Sequence, residues 1–252
     1  MGHFYTFHLK WKSWTVIVLL ALFTATFVWF ERDGTFSIFS HEKQTAALSK
    51  GNKDEANIAL TFDISWGEKK IHAILERLKE ENVQATFFVS GEWAERHPEI
   101  LEEITDGKHE LGMLGYRYKS YLNQKPEQVK KDLLHAKEVF QKLGLDDINL
   151  VRPPSGQFDK EIIKLAENLG LTVVHWNVNP NDWKNPGTEA ITDFVMKQTS
   201  NGDVILLHAS DSVKQTNEAL KTILPGLKNK GFHFVTISEF INQAHAKSKP
   251  IE

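Results

Sequence analysis

The chain has 252 residues and a formal net charge of −3, and it contains no cysteine. The near balance of charges excludes nucleic-acid binding driven by bulk electrostatics. The lack of cysteine excludes disulfides and thiolate metal sites, so histidines and carboxylates are the only strong metal ligands that the sequence offers.

The first predicted element is an apolar segment at residues 13–30, which carries no charged side chain. Eighteen helical residues span about 27 Å, close to the hydrocarbon thickness of a bilayer. Lys10 and Lys12 precede the segment, so we predict a single-pass anchor in the cell membrane, with residues 1–12 in the cytoplasm and the rest outside. A cleaved signal peptide is one alternative, but the segment ends in bulky residues instead of the small residues of a cleavage site. A buried helix of a soluble domain is another, but such a helix would have a polar face and this segment has none.

A polar linker is predicted at residues 31–56 and a polar tail at residues 244–252, because neither shows a sustained periodicity. Between them, at residues 57–243, we predict one domain of alternating strands and helices. The predicted strands are Ile58–Ile64, Ala85–Ser90, His109–Leu114, Ile148–Pro153, Leu171–Val178, Asp203–His208 and Phe232–Ile237.

Predicted helices follow most of these strands. They include one helix over about Trp93–Thr105, a long helix that opens at Pro126 and stops at Gly144, and one around Ala219–Leu227 disturbed by Pro225. A short helix capped by Ser238 ends the domain. Such a series of βα units indicates parallel strands with crossover helices, which either an open doubly wound sheet or a barrel satisfies.

The polar residues favour a (β/α) barrel. They lie at or just beyond strand C-termini, which form one rim in a barrel but converge less in an open sheet. Singly, each has a structural explanation, such as a helix cap, a salt bridge or a buried histidine. Together they indicate a catalytic rim made of Asp63, the 109–118 segment, Arg152, Asp182 and His208.

Five segments, in chain order, resemble the motifs of the polysaccharide deacetylase family, also called the NodB-homology or carbohydrate esterase 4 family. They are Thr61-Phe62-Asp63-Ile64, the run from Lys108 to Tyr118, Arg152-Pro153-Pro154-Ser155-Gly156, Asn179-Pro180-Asn181-Asp182-Trp183 and Leu206-Leu207-His208. This resemblance implies an incomplete (β/α) barrel. It also implies hydrolysis of the N-acetyl amide (a non-peptide C–N bond) of glycans that contain N-acetylglucosamine, with a divalent metal, usually zinc.

The resemblance also implies roles for the rim residues. Asp63 matches the general base that takes a proton from water, and His208 matches the general acid that protonates the leaving amine. Arg152 and Asp182 match the pair that orients and tunes the base. Asn179 stands where the family has a carboxylate, which implies a weaker network around His208.

By the same resemblance, the metal ligands of the family correspond to Ile64, Leu114 and Tyr118. Isoleucine and leucine cannot coordinate a metal, neutral tyrosine is a poor ligand, and a zinc site needs about three protein ligands. We therefore expect no cofactor at this site. Without zinc, attacking water keeps a pKa of about 15.7 instead of about 7, a handicap on the order of 10 kcal/mol. If the three positions are assigned correctly, their side chains lie together and face Asp63.

Aromatic residues follow several strand ends and are candidates for stacking on sugar rings, although ordinary loop packing explains them equally well. The candidates are Trp66, Tyr116, Tyr118 and Trp183. The predicted partners are therefore cell-wall glycan and, through the anchor, the membrane. Neither a nucleic acid nor a particular protein partner is indicated.

Three functions remain open: a polysaccharide deacetylase or related glycan hydrolase with an altered or absent metal site, a membrane-anchored glycan-binding or scaffold pseudoenzyme, and a metal-independent hydrolase of another amide or ester that uses Asp63 and His208. Within the family, the continuation Ser65-Trp66-Gly67 and the segment Gly115–Lys119 resemble those of a membrane-anchored member that acts in sporulation. That likeness implies a role in maintaining spores, at the cortex or the spore membrane.

Overall fold

The structure is a computed structural model that describes residues 46–247. Strands and helices alternate along this range. The strands are β1 (Asn57–Ile64), β2 (Thr86–Val89), β3 (Glu110–Met113), β4 (Leu150–Val151), β5 (Thr172–Val173), β6 (Val204–His208) and β7 (His233–Val235). The helices are α1 (Lys70–Glu80), α2 (Gly91–Ala94), α3 (Pro98–Asp106), α4 (Pro126–Lys142), α5 (Lys160–Asn168), α6 (Thr188–Gln198), α7 (Thr216–Asn229) and α8 (Ile237–Lys247).

The strands form one parallel sheet with the order β5-β4-β3-β2-β1-β6, and β7 pairs with the first residues of β1. Beyond β5, a single parallel bridge between Val178 and Ile205 approaches β6 from the other side. The sheet therefore curves into an incomplete (β/α) barrel, as the sequence predicts, rather than an open sheet.

The two faces of β1 explain how the barrel positions polar groups. Ile58, Leu60, Phe62 and Ile64 belong to the large apolar core with the helices, and each such buried side chain contributes about 1.5–3 kcal/mol. The alternate residues face the barrel interior, because successive side chains of a strand point to opposite sides. Asp63 is thereby carried to the interior rim, where 4% of it is exposed.

Three helical regions differ from the predicted ones. The segment predicted as one helix over about Trp93–Thr105 forms α2 and α3, because Pro98 begins a new helix and lacks the N–H needed to continue the preceding one. Helix α6 was not predicted. Helix α7 continues through Pro225 without interruption, so the expected disturbance is absent.

The domain also extends beyond its predicted boundaries at both ends. Leu48 pairs with Val174, and Lys50 pairs with Asp203 through the backbone and through a 2.7 Å ion pair. Residues 46–56 are thus attached to the sheet rather than free as a linker, and α8 continues to Lys247. The predicted anchor at 13–30 lies outside the described residues, and none of the helices in 46–247 is long and apolar enough to cross a membrane.

Candidate active site

A groove of about 580 Å³ opens at the C-terminal ends of β1 and β6. Its lining combines carboxylate, imidazole, hydroxyl, amide and aromatic groups from Asp63, Ser65, Trp66, Tyr118, Ser155, Trp176, Asn179, Asn181, Trp183, Leu206, His208, Ser210 and Ser212. A larger cleft of about 790 Å³ lies at the opposite end of the strands, between α1 and α3, and contains none of the four predicted catalytic residues. The groove is therefore the candidate active site.

A buried ion pair forms the floor of the groove. The Nη1 atom of Arg152 donates to Oδ1 of Asp63 at 2.7 Å, and the arginine side chain has no exposed surface. Its Nη2 atom donates to the hydroxyl of Thr61 and to the carbonyl of His175, while the guanidinium lies 4.0 Å from the ring centre of Phe88. These contacts fix Arg152 behind Asp63, as expected for a group that orients the base.

Asp182 has a different partner from the one predicted. It binds His208, not Asp63: the imidazole Nδ1 lies 2.7 Å from Oδ1, and the His208 backbone N–H donates to Oδ2 at 2.8 Å. The hydroxyl of Thr216 also donates to Oδ2 at 2.8 Å. Asp182 reaches this position because its short 3₁₀ turn is flanked by Asn181 and Asn185, both in the left-handed conformation.

The carboxylate of Asp182 explains both the orientation and the basicity of His208. Burial lowers the pKa of His208, but the hydrogen bond and charge of Asp182, with the charge of Asp63, outweigh it, so the pKa lies above 6.5. Among the described residues, Asn179 makes no hydrogen bond to His208; its side chain accepts a hydrogen bond from the backbone N–H of Asn181.

Asp63 and His208 are direct neighbours across β1 and β6. Both side chains line the groove. Asp63 is a carboxylate that can accept a proton. His208 is an imidazole whose Nδ1 atom bonds to Asp182, so its Nε2 atom points away from Asp182. This arrangement suits a general base and a general acid acting on one substrate.

The three positions expected to face Asp63 do not converge, so the assignment of all three to the metal-ligand positions of the family is wrong. Ile64 lies in the outer core with the helices, Leu114 lies in the inner core with Phe88 and Val174, and only Tyr118 lines the groove. The position of Ile64 follows from the geometry of β1, because successive side chains of a strand point to opposite faces and Ile64 directly follows Asp63.

The groups around Asp63 do not fit a divalent metal. In the described part of the chain, no three histidine, aspartate or glutamate side chains are grouped as metal ligands. Tyr118 offers only a phenol. Desolvation of the Tyr118 hydroxyl and the charge of Asp63 raise its pKa, and the hydrogen bond with Ser155, which lowers it, does not offset them. The phenol therefore stays protonated and is a weak ligand.

Three of the four predicted aromatic residues meet at the groove. Trp66 is 62% exposed, Trp183 is 51% exposed and Tyr118 is 42% exposed, and all three line it. Tyr116 does not: its ring stacks on His135 at 3.8 Å and its hydroxyl donates to Glu95. Large apolar groups with this exposure are free to stack on a ligand.

Two carboxylates that the sequence did not identify hold the loops of the groove. Asp211, three residues beyond β6, accepts hydrogen bonds from the backbone N–H groups of Glu68, Lys69 and Lys70 at the start of α1. Because Asp211 lies shortly after the end of a predicted strand, the sequence could have identified it. Asp132, on α4, accepts from the N–H groups of residues 116 and 117 and from the hydroxyl of Tyr121, and no motif marks it.

Comparison with known proteins identifies this architecture. The family described as polysaccharide deacetylase matches residues 50–174. A peptidoglycan-N-acetylglucosamine deacetylase of Bacillus cereus is 34% identical over 76% of this chain and 91% of its own length. The peptidoglycan-N-acetylmuramic acid deacetylase PdaA of Bacillus subtilis is 30% identical over 77% of this chain and 75% of its own.

A solved structure adds a relative of another kind. BA3943 of Bacillus anthracis, described as a CE4 family pseudoenzyme, matches with a TM-score of 0.74 and 27% identity, over 79% of this chain and 69% of that one. A mutant of BA3943 with restored enzymatic activity matches with the same TM-score. By its fold, its groove and these relatives, this chain belongs to the polysaccharide deacetylase family, whose members include peptidoglycan N-deacetylases, hydrolases of non-peptide C–N bonds.

Proposed function

We propose that this protein is a membrane-anchored, glycan-binding member of the family, whose groove holds the amino-sugar glycan of the cell wall without metal-assisted deacetylation. One observation carries the proposal. Three exposed aromatic side chains line the same groove as Asp63 and His208, whereas Tyr118, which lines it at one of the expected ligand positions, offers only a phenol. The groove thus keeps features that suit sugar binding and lacks a donor set for zinc.

The relatives support both parts of the proposal. Two of them act on peptidoglycan amino sugars, and the fold persists in BA3943, which is described as a pseudoenzyme. Attachment to the membrane through residues 13–30 and a role in sporulation are parts of the proposal that rest on the sequence and on the motif resemblance.

The binding part is tested by retention of the full-length chain on purified peptidoglycan. We expect Trp66→Ala and Trp183→Ala each to lower the apparent affinity about tenfold, since exposed aromatics at the centre of a site contribute strongly to binding. Phe194→Ala is the matched control, because Phe194 is 40% exposed but lies on α6 and not in the groove. Equal retention of all three variants contradicts glycan binding in this groove.

The catalytic part is tested by the metal content of the purified protein and by a deacetylase assay on N-acetylated glycan with and without zinc. We expect much less than one zinc per chain and no turnover above background. Stoichiometric zinc, together with turnover that disappears in Asp63→Asn, contradicts the proposal.

A second candidate is metal-independent hydrolysis of an acyl ester, favoured by the intact Asp63–Arg152 and His208–Asp182 pairs. Asp63 takes a proton from water as its oxygen attacks the acyl carbon, and His208 gives a proton to the departing alcohol oxygen, which leaves a carboxylic acid and an alcohol. The test compares hydrolysis of O-acetylated glycan by the wild type and by His208→Gln. Equal rates exclude this activity.

A further inference from the structure

A carboxylate oxygen with no protein partner faces the groove. Oδ1 of Asp63 accepts from Arg152, but Oδ2 has no hydrogen-bond donor among residues 46–247. The side chain is only 5% exposed and lines the groove. A ligand seated there would remove the remaining water from Oδ2, so it must bring a donor of its own to avoid the cost of burying an unpaired charge.

The carboxylate of Asp63 is the negative group of the groove, and the imidazole of His208, which lines the same groove, adds a positive charge when it is protonated. The guanidinium of Arg152 lies behind Asp63 and is fully buried, so the negative member of the pair is the one that meets the ligand. The other charged pair at the site is His208 with Asp182, which is neutral when the imidazole is protonated and negative when it is not. In the described part of the chain, no lysine or arginine side chain lines the groove.

The aromatic walls of the groove also favour a cation. Trp66 is 62% exposed and Trp183 is 51% exposed, and an indole ring attracts cations as well as stacking on sugar rings. The Nζ atom of Lys184 already lies 5.0 Å from the ring centre of Trp183, so this indole accepts a cation within the protein itself.

From this geometry we propose that the groove selects a glucosamine residue with a free amine over its N-acetylated form, with the ammonium group bound to Oδ2 of Asp63 between the aromatic walls. The inference rests on the proposed glycan binding and adds the form of sugar that is bound. In cell-wall glycan, such residues are the products of deacetylation by another enzyme. The protein would thus recognise glycan that has already been processed.

The size of the preference follows from the type of hydrogen bond. An acetamide N–H offers Oδ2 a hydrogen bond in which only the acceptor is charged, whereas an ammonium group offers one in which both partners are charged, with more than one N–H to donate. We therefore expect a pentamer of glucosamine to bind about tenfold more tightly than a pentamer of N-acetylglucosamine.

The test is calorimetry or tryptophan fluorescence titration of the full-length chain with the two pentamers, at a pH at which the sugar amine is protonated. The glucosamine pentamer after chemical re-acetylation is the matched probe, and it is expected to return to the weaker affinity. Spermine controls for nonspecific attraction of a polycation to a chain of net charge −3, and it is expected not to displace the glucosamine pentamer.

Asp63→Asn is expected to abolish the tenfold preference while the N-acetylglucosamine pentamer still binds. Asp146→Asn removes the same charge at an exposed loop residue and is expected to keep the preference. If Asp63→Asn does not fold, the salt dependence of binding to the wild type provides the test. Added salt should weaken binding of the glucosamine pentamer and leave binding of the N-acetylglucosamine pentamer unaffected.

The outcomes separate this inference from the proposed function. Binding of neither pentamer overturns both. Equal binding, or tighter binding of the acetylated pentamer, overturns the amine preference and leaves glycan binding in place.

Discussion

The guanidinium of Arg152 donates to the carboxylate of Asp63 at 2.7 Å in a pair that is almost wholly removed from water, with 0% and 5% of the two side chains exposed. Such a pair is expensive to desolvate, and its loss is costly when one member remains alone. Asp63 is thus both a candidate reactive group and part of the structure of the barrel interior.

The first prediction concerns this pair. Arg152→Met leaves Asp63 buried without its cation, and we expect a loss of about 3–5 kcal/mol in the free energy of unfolding, measured by urea denaturation. The double variant Asp63→Leu with Arg152→Met should be more stable than Arg152→Met alone. Glu138→Gln, which removes the exposed pair with Lys142, should leave the free energy of unfolding nearly unchanged, because solvent screens such a pair. An effect of Arg152→Met no larger than that of Glu138→Gln contradicts the prediction.

The second prediction concerns the protonation of His208. Its pKa is raised in the folded state, so an NMR titration of the imidazole should give a midpoint above 6.5, and Asp182→Asn should lower that midpoint because burial is then opposed only by the charge of Asp63.

The same shift sets the pH dependence of stability. A histidine whose pKa is raised on folding stabilises fully below its unfolded pKa, and the contribution is lost as the pH rises through the folded value. The stability difference between the wild type and Asp182→Asn should therefore be larger at about pH 6 than at about pH 9. A difference that is independent of pH, with unchanged midpoints, shows that His208 and Asp182 are not coupled.

The third prediction compares two glycines with positive φ. A Cβ atom at Gly67 (φ +83°) would lie 2.4 Å from Cγ and 2.8 Å from the backbone nitrogen of Asp211, whereas at Gly144 (φ +78°) no atom lies within 4 Å. Both alanine variants bear the strain of a left-handed residue, about 1–2 kcal/mol. Only Gly67→Ala should lose more stability than this and also weaken glycan retention. Equal losses of stability in the two variants would show that the contact of the added Cβ atom with Asp211 does not destabilise the protein.

The fourth prediction concerns residues 46–56. A chain that begins at residue 57 lacks Leu48 and Lys50, which pair with Val174 and with the buried Asp203. Compared with a chain that begins at residue 46, its Tm should be lower by about 4 °C or more. Lys50→Met in the longer chain separates the ion pair from the backbone contacts and should cause a smaller decrease. Equal Tm values for the two lengths contradict a structural role for this segment.

Much of the site could be predicted from strand ends. In a parallel barrel, residues at the C-terminal ends of strands meet at one rim, which was enough to bring Asp63, Arg152 and His208 together. The partner of Asp182 was not predictable in this way, because it depends on the path of a loop between two left-handed asparagines. Tyr116 and Tyr118 differ in position for a similar reason: beyond β3 the alternation of a strand no longer applies.

Ile64 is a different case, since the sequence contained the correct answer. Ile58, Leu60 and Phe62 repeat every second residue on the outer face of β1, and the same period places Ile64 with them. The motif resemblance suggested that Ile64 faces the site, whereas the strand periodicity predicts that it faces the helices, as the structure has it.

The carboxylate of Asp211 connects two loops of the groove. Asp211 belongs to the loop after β6, and its carboxylate accepts hydrogen bonds from the backbone that follows Trp66 in the loop after β1. Neither loop can be exchanged independently of the other. Grafting the loop of a relative after β1 alone would replace the segment that supplies two of the three donors to Asp211, those of Glu68 and Lys69. Any attempt to redesign the sugar preference of this protein must therefore transplant both loops as one unit.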